Sequence, residues 1–171
     1  MNLTNAIKLR QANREFNKTP LTSEEVEQLT DAAGYAPVAR GRFNDFLITV
    51  VNDPATIDIL EADDTGHPFY GAPTVIMIST TLVGQSGFLS AGMIAENIEL
   101  KATDLGLATC TILGVVKASI EESEAALNSL GLPDDFHPVL AVAVGHPVHE
   151  LKPRNFVTNR LRTVTINPEN K

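Results

Sequence analysis

The stretch from Gly87 to Cys110, GFLSAGMIAENIELKATDLGLATC, constrains the chain more than any other. Apolar or small residues recur at Phe88, Ala91, Gly92, Ala95, Ile98, Ala102 and Leu105, which predicts one long helix with a broad inward stripe. The stripe is rich in alanine and glycine, so another backbone can approach it closely. Such a helix belongs at the centre of a fold, packed on a sheet and on a second copy of itself, although an ordinary core helix would carry the same pattern. Leu105-Gly106-Leu107 predicts its end, with Gly106 just past the cap, and the apolar run Ala108 to Leu113 follows at once as a strand.

The segments on either side alternate between helix and strand signals. Residues 2 to 9 read as a short helix started by Asn2 or Thr4. It delivers Arg10 and Arg14, which share a face if the helical turn continues. Thr22 with Glu25 fits a reciprocal cap for a helix to Tyr35, with Val26, Leu29 and Ala33 inward. Phe46 to Val51 is β-branched and nearly continuous, as expected of a strand buried on both faces. Asp53 and Pro54 start a helix through Leu60, the polar loop EADDTGHP follows, and Gly71-Ala72-Pro73 opens the strand Thr74 to Ser79. Beyond Gly114, Ser119 with Glu122 predicts a helix to Leu130, Val139 to Val144 a last core strand, and Thr163 to Ile166 a terminal strand past a polar, basic arm. That order predicts an α+β fold or a three-layer α/β sandwich.

At 171 residues the chain fits one domain with a real core. Its net charge of −8 argues against a general nucleic-acid or membrane-surface binder, since both want a basic face. One cysteine excludes an internal disulfide framework, and no leader or membrane span is visible, so a cytoplasmic location is expected. The GxGxxG, GxxxxGK[ST] and HExxH patterns are absent, and the four histidines have no ligand spacing, so no metal is expected. Cys110 reads as a small core residue.

What remains is a set of arginines far apart in the chain: Arg10 and Arg14, Arg40 and Arg42, Arg160 and Arg162. If the fold gathers the first and last pairs they make a pocket for a phosphate; otherwise they are solvated surface cations. Gly114 follows a buried strand, where backbone N–H groups could meet a flat ligand lying on Ile112 and Leu113.

These segments, in this order, resemble the FMN-dependent nitroreductase family over almost the whole chain. The carriers are RQANREF, similar to RRSxRxF; Ala36-Pro37; Gly71-Ala72-Pro73; the helix with Gly92, Ala95 and Asn97 running into Leu105-Gly106-Leu107 and Thr109-Cys110; Gly114; Val144-Gly145-His146-Pro147, similar to GYP; and Arg160. The resemblance implies an α+β, three-layer α-β-α sandwich with a central mixed, largely antiparallel sheet. It implies a single domain over 1–171, with 146–171 an arm reaching the partner subunit and its terminal strand open to exchange in the dimer. It further implies a homodimer with FMN at the interface, taking electrons from NAD(P)H to a nitroaromatic or quinone-type acceptor by ping-pong hydride transfer. The alternative is a non-catalytic FMN-binding protein of the same fold.

By that resemblance Arg10, with Gln11 and Ala12, and Arg160 would hold the phosphate. Arg14 would reach the pyrimidine edge at N1/O2, and Ile112, Leu113 and Gly114 would line the isoalloxazine ring with the Gly114 N–H near N5. Pro37, Val38, Ala39, Gly41 and Arg42 would reach the flavin, in this family often from the other subunit. No side chain is assigned as an acid or base. Ala12 stands where the family has serine, and Pro37-Val38-Ala39-Arg40-Gly41-Arg42-Phe43-Asn44 replaces PSxxNxQPW, with Arg42 a candidate to take over the glutamine's contact.

Overall fold

The computed structural model describes residues 1–62, 66–155 and 160–166. Residues 63–65 of the polar loop, and 156–159 and 167–171 of the C-terminal arm, lie outside the described residues. In chain order, Asn2 caps α1 (Leu3–Leu9), its side chain accepting from the Asn5 N–H at 2.9 Å. Arg10 then leaves the helix at φ −57°, ψ 120°, so the turn that would have set Arg10 and Arg14 on one face does not form.

The cap of α2 (Ser23–Gly34) is reciprocal, as its sequence predicts: Thr22 Oγ1 accepts from the Glu25 N–H and Glu25 from the Thr22 N–H. β1 (Phe46–Val51) leads to α3 (Pro54–Glu61), capped by Asp53, and then to β2 (Thr74–Thr80). α4 (Gln85–Asp104) ends in a Schellman closure. Leu107 N–H reaches back to Ala102 O at 2.8 Å and Gly106 N–H to Thr103 O at 3.1 Å, with Gly106 at φ +78°. β3 (Ala108–Ile112), α5 (Gly114–Ala118), α6 (Glu124–Leu130) and β4 (His137–Gly145) complete the described elements.

The strands lie in the order β1-β2-β4-β3. Each neighbouring pair is antiparallel, with Ile76 opposite Val142 and Cys110 opposite Ala143. Strand alternation divides the core in two. Val75, Met77, Cys110, Ala141 and Ala143 face α3, α5 and α6, packing on Ile57, Leu60, Val116 and Leu130. Ile76, Ile78, Val142 and Val144 face α2 and α4, packing on Leu29, Ala91, Ala95 and Ile98. β2 and β4 are sandwiched between these layers and carry continuous apolar runs at 75–78 and 138–144. Full burial of Ile98 contributes about 1.5–3 kcal/mol over exposure.

The three-layer α+β sandwich expected from the sequence is present, and several details differ. The sheet is not mixed: its ladders are antiparallel, and the parallel pairing is an isolated bridge between Ala12 and Thr109. β1 is half-buried rather than buried on both faces, because it forms the edge of the sheet. Thr163–Ile166 form no strand; no sheet edge in the same chain pairs with them, and a strand without a ladder partner leaves its backbone groups to water. The helix expected from Ser119 to Leu130 is broken. Ile120 turns into the core through a 3-10 turn at Ile120–Glu122, and Ser123, not Ser119, caps α6 by accepting from the Ala126 N–H.

On α4 the expected stripe is right at Ala91, Ala95, Ile98 and Ala102, but Phe88 and Gly92 are exposed. The same flank of the helix is buried further along, at Glu99 and Thr103. There β3 and α1 pack against α4. Gly87 is needed for a different reason: a Cβ there would lie 2.5 Å from the Leu82 carbonyl oxygen.

Candidate functional site

The segment after α1 runs along the end of the sheet. Asn13 N–H donates to Thr109 O at 2.7 Å, Asn17 N–H to His146 O at 2.8 Å, and Lys18 Nζ to Gly71 O at 3.0 Å. The two arginines it carries therefore point to different surroundings. Arg10 turns onto α4, with Nε 3.3 Å from Glu96 Oε1 and Nη1 3.3 Å from Glu99 Oε2. Glu99 is only 3% exposed, the one carboxylate in the buried class among the described residues. Burial pushes its carboxyl above the usual carboxylate range, against the pull of the Arg10 charge and the hydroxyls of Thr111 and Thr109, while Glu96 adds to the rise. Its Oε1 has no hydrogen-bond partner.

Arg14 is exposed at the other side of this segment. Its Nε donates to the Tyr70 hydroxyl at 3.3 Å, and its guanidinium carbon lies 5.7 Å from the Tyr70 ring centroid. Among the described residues no acid pairs with it. Tyr70 holds φ +55°, a conformation that a residue with a Cβ adopts only when its surroundings impose it. Gln11 Nε2 donates to Lys152 O at 3.0 Å, and Ala12, exposed, offers its backbone to β3.

At the far end of β3, Ile112 is buried in the core facing α5, so its side chain is turned away from any ligand on the surface. Leu113 is 51% exposed. Gly114 opens α5, and a Cβ built on it meets nothing within 4 Å. Leu113 and Gly114 thus form an open apolar ledge with accessible backbone.

The loop Pro37–Arg42 lies elsewhere in the same chain. Ala39 N–H donates to Ser90 Oγ at 3.0 Å, on the first half of α4, whereas Arg10 holds Glu96 and Glu99 further along. Pro37, Arg40, Gly41 and Arg42 are exposed, Val38 and Ala39 half-buried, and Arg42 Nε is paired with Asp45. Arg160 donates to Asn155 O at 3.3 Å. It lines a cavity of about 580 Å³ on the outer side of α1, with Thr4, Ile7, Lys8 and Arg154. Within one chain, then, Arg10 to Arg14 stand by β3, while Arg160 and the 37–42 loop share neither an acceptor nor a cavity with Arg10.

Sequence reasoning missed Glu99 and Tyr70. Glu99 was findable: it stands four residues after Ala95 and three before Ala102, a carboxylate at inward spacing in an apolar stripe. Tyr70 carries no such signal, because only the loop's path brings it to Arg14.

Comparison with known proteins agrees with this architecture. The profile of the nitroreductase family matches residues 61–146. A nitroreductase with bound FMN from Bacteroides fragilis superposes with a TM-score of 0.83 at 21% identity, covering 96% of this chain and 100% of the other. One with bound FMN from Desulfitobacterium hafniense gives 0.82 at 23%, covering 96% and 100%. An FMN-dependent nitroreductase from Clostridium difficile gives 0.75 at 22%, covering 95% and 99%. At such identities the likeness is one of fold.

Proposed function

Because the chain belongs to the nitroreductase family, we propose that it is an FMN-dependent oxidoreductase working as a homodimer. It would carry a hydride from NAD(P)H to a nitroaromatic or quinone-type acceptor in two successive half-reactions. The observation that carries the reading is Arg14, an exposed, permanently charged guanidinium that no acid neutralises among the described residues, on the segment that pairs with the start of β3, whose other end leads to the open Leu113–Gly114 ledge.

The donor set fits the cofactor. Arg10 would be the phosphate cation, joined by Arg160 only if a partner subunit brings it there, Arg14 the cation for the pyrimidine edge, Leu113 an apolar surface, and Gly114 a point where no Cβ obstructs a planar ring. The chemistry supplied by bound FMN is hydride acceptance from NAD(P)H and hydride donation to the acceptor. Arg14 would offer positive charge to the negative charge of reduction, with Tyr70 orienting its guanidinium. Leu113 keeps water from the ring. No side chain is assigned a proton.

A second copy would bring its own 37–42 loop to this site, since the loop stands apart from Arg10 within one chain. Leu3, Leu89, Leu161, Val164 and Ile166 are each more than two-thirds exposed, apolar surface of the kind a partner covers. In this proposal the chain is one domain whose arm, 146–171, reaches across that partner. Among the described residues no helix is long and apolar enough to cross a membrane, and a cytoplasmic location remains part of the proposal.

The non-catalytic reading draws on the altered loop, where Arg42 is held by Asp45. The visible spectrum separates the readings after FMN is added and excess removed by desalting. Retained flavin that NADH or NADPH bleaches and menadione restores is the expected result. Retained flavin that no nicotinamide bleaches selects the binding protein, and a colourless protein removes both.

A further inference from the structure

Arg10 is matched by more acid than it can neutralise. One guanidinium stands between two carboxylates, so the local charge is net negative before any anion arrives. The two acids are not equivalent. The side chain of Glu96 is 46% exposed and that of Glu99 only 4%. If Arg10 turned away, water would solvate Glu96, but Glu99 would be left as a bare buried charge with its Oε1 already without a partner. A phosphate at Arg10 therefore competes with Glu99 for the guanidinium charge unless Glu99 is protonated.

We propose that Glu99 is a built-in competitor for the cofactor phosphate at Arg10, setting how far this protein prefers FMN to riboflavin. The proposal rests on the reading of Arg10 as a phosphate cation. Glu99 holds the guanidinium against α4 when no anion is bound, and takes up a proton as Arg10 passes to the phosphate. The charged and titratable groups facing it are Arg10 from the end of α1, Glu96 on its own helix and Cys110 on β3. Burial pushes the Cys110 thiol up, so it stays neutral and leaves the exchange to Arg10 and the two acids. Burial also raises the Glu99 carboxyl, which favours its neutral form relative to an exposed glutamate.

The test is the ratio of FMN to riboflavin affinity, measured by flavin fluorescence quenching for the wild-type protein, Glu99→Gln and Glu96→Gln. Riboflavin lacks the phosphate and reports on the ring site alone. Glu99→Gln is expected to raise the FMN-to-riboflavin ratio at pH 8 by about tenfold to a hundredfold, the scale of one hydrogen bond to a charged group. Riboflavin affinity should stay within about twofold, and Glu96→Gln should do less. The gain should shrink as the pH is lowered, since acid favours the neutral form of Glu99 in the wild-type protein.

An unchanged or lowered ratio in Glu99→Gln, with riboflavin still bound, overturns the competitor role and leaves the flavin reading intact. If neither flavin binds any of the proteins, the flavin reading falls and the competitor with it. Stabilisation by inorganic phosphate is a second readout: the rise in Tm should be larger in Glu99→Gln than in wild type, and an equal rise counts against the proposal.

Discussion

Arg10 and Arg14 are four residues apart, on the same strip of chain, and have opposite circumstances. Arg10 lies against α4 between two carboxylates, one of them buried. Arg14 stands in solvent over Tyr70 with no acid beside it among the described residues. The same side chain is thus a structural counter-ion in one place and an unmatched cation in the other. A guanidinium is an open site where the fold leaves its charge uncompensated, and a contested one where acids already hold it.

Removing Arg10 should have the largest effect. Arg10→Ala leaves Glu99 buried and unpaired, and is expected to cost about 3 kcal/mol in urea unfolding at pH 8. Because the folded pKa of Glu99 is raised, the folded state binds its proton more tightly than the unfolded chain does. Its contribution therefore favours folding at low pH and is lost as pH rises through the raised value. The cost of Arg10→Ala should shrink on acidification, and a cost independent of pH would show that Glu99 is not the buried charge it is taken for here.

Glu99→Gln sharpens the same point more gently. It should flatten the fall in stability as pH rises above the unfolded carboxylate range, a fall of at most about 1.4 kcal/mol per pH unit for one proton. A stability profile that keeps the wild-type slope would place the titrating group elsewhere. Arg14→Ala should change stability by no more than about 0.5 kcal/mol, as for an exposed side chain, yet weaken both FMN and riboflavin. Equal flavin affinity in that variant would break the contrast between the two arginines. Tyr70→Phe, which keeps the ring and loses one hydrogen bond of 3.3 Å, should be the smallest change, a shift in flavin affinity of about twofold at most.

Much of the fold was legible in the residues. The Thr22–Glu25 cap, Asp53-Pro54, the apolar strands and the Gly106 closure act within a few positions, and each local signal names its own geometry. The break at Ser119 was not legible, because Ser119 and Ser123 are both competent caps; burial of Ile120 decides between them. Of the proposed site, the exposure of some residues could be anticipated and that of others could not. Arg14, Leu113 and Gly114 could be named from the sequence, whereas the inward turn of Ile112 depends on the face that β3 presents to α5.

The sequence by itself determined the layers: α4 with its small-residue stripe, the apolar strands around it, and arginines in an otherwise acidic chain. Periodicity and capping are local, and the folded chain only had to respect them. The tertiary structure decided which arginine is free. Charge compensation depends on what stands within a few ångströms in space, and Glu99 comes from a position 89 residues beyond Arg10.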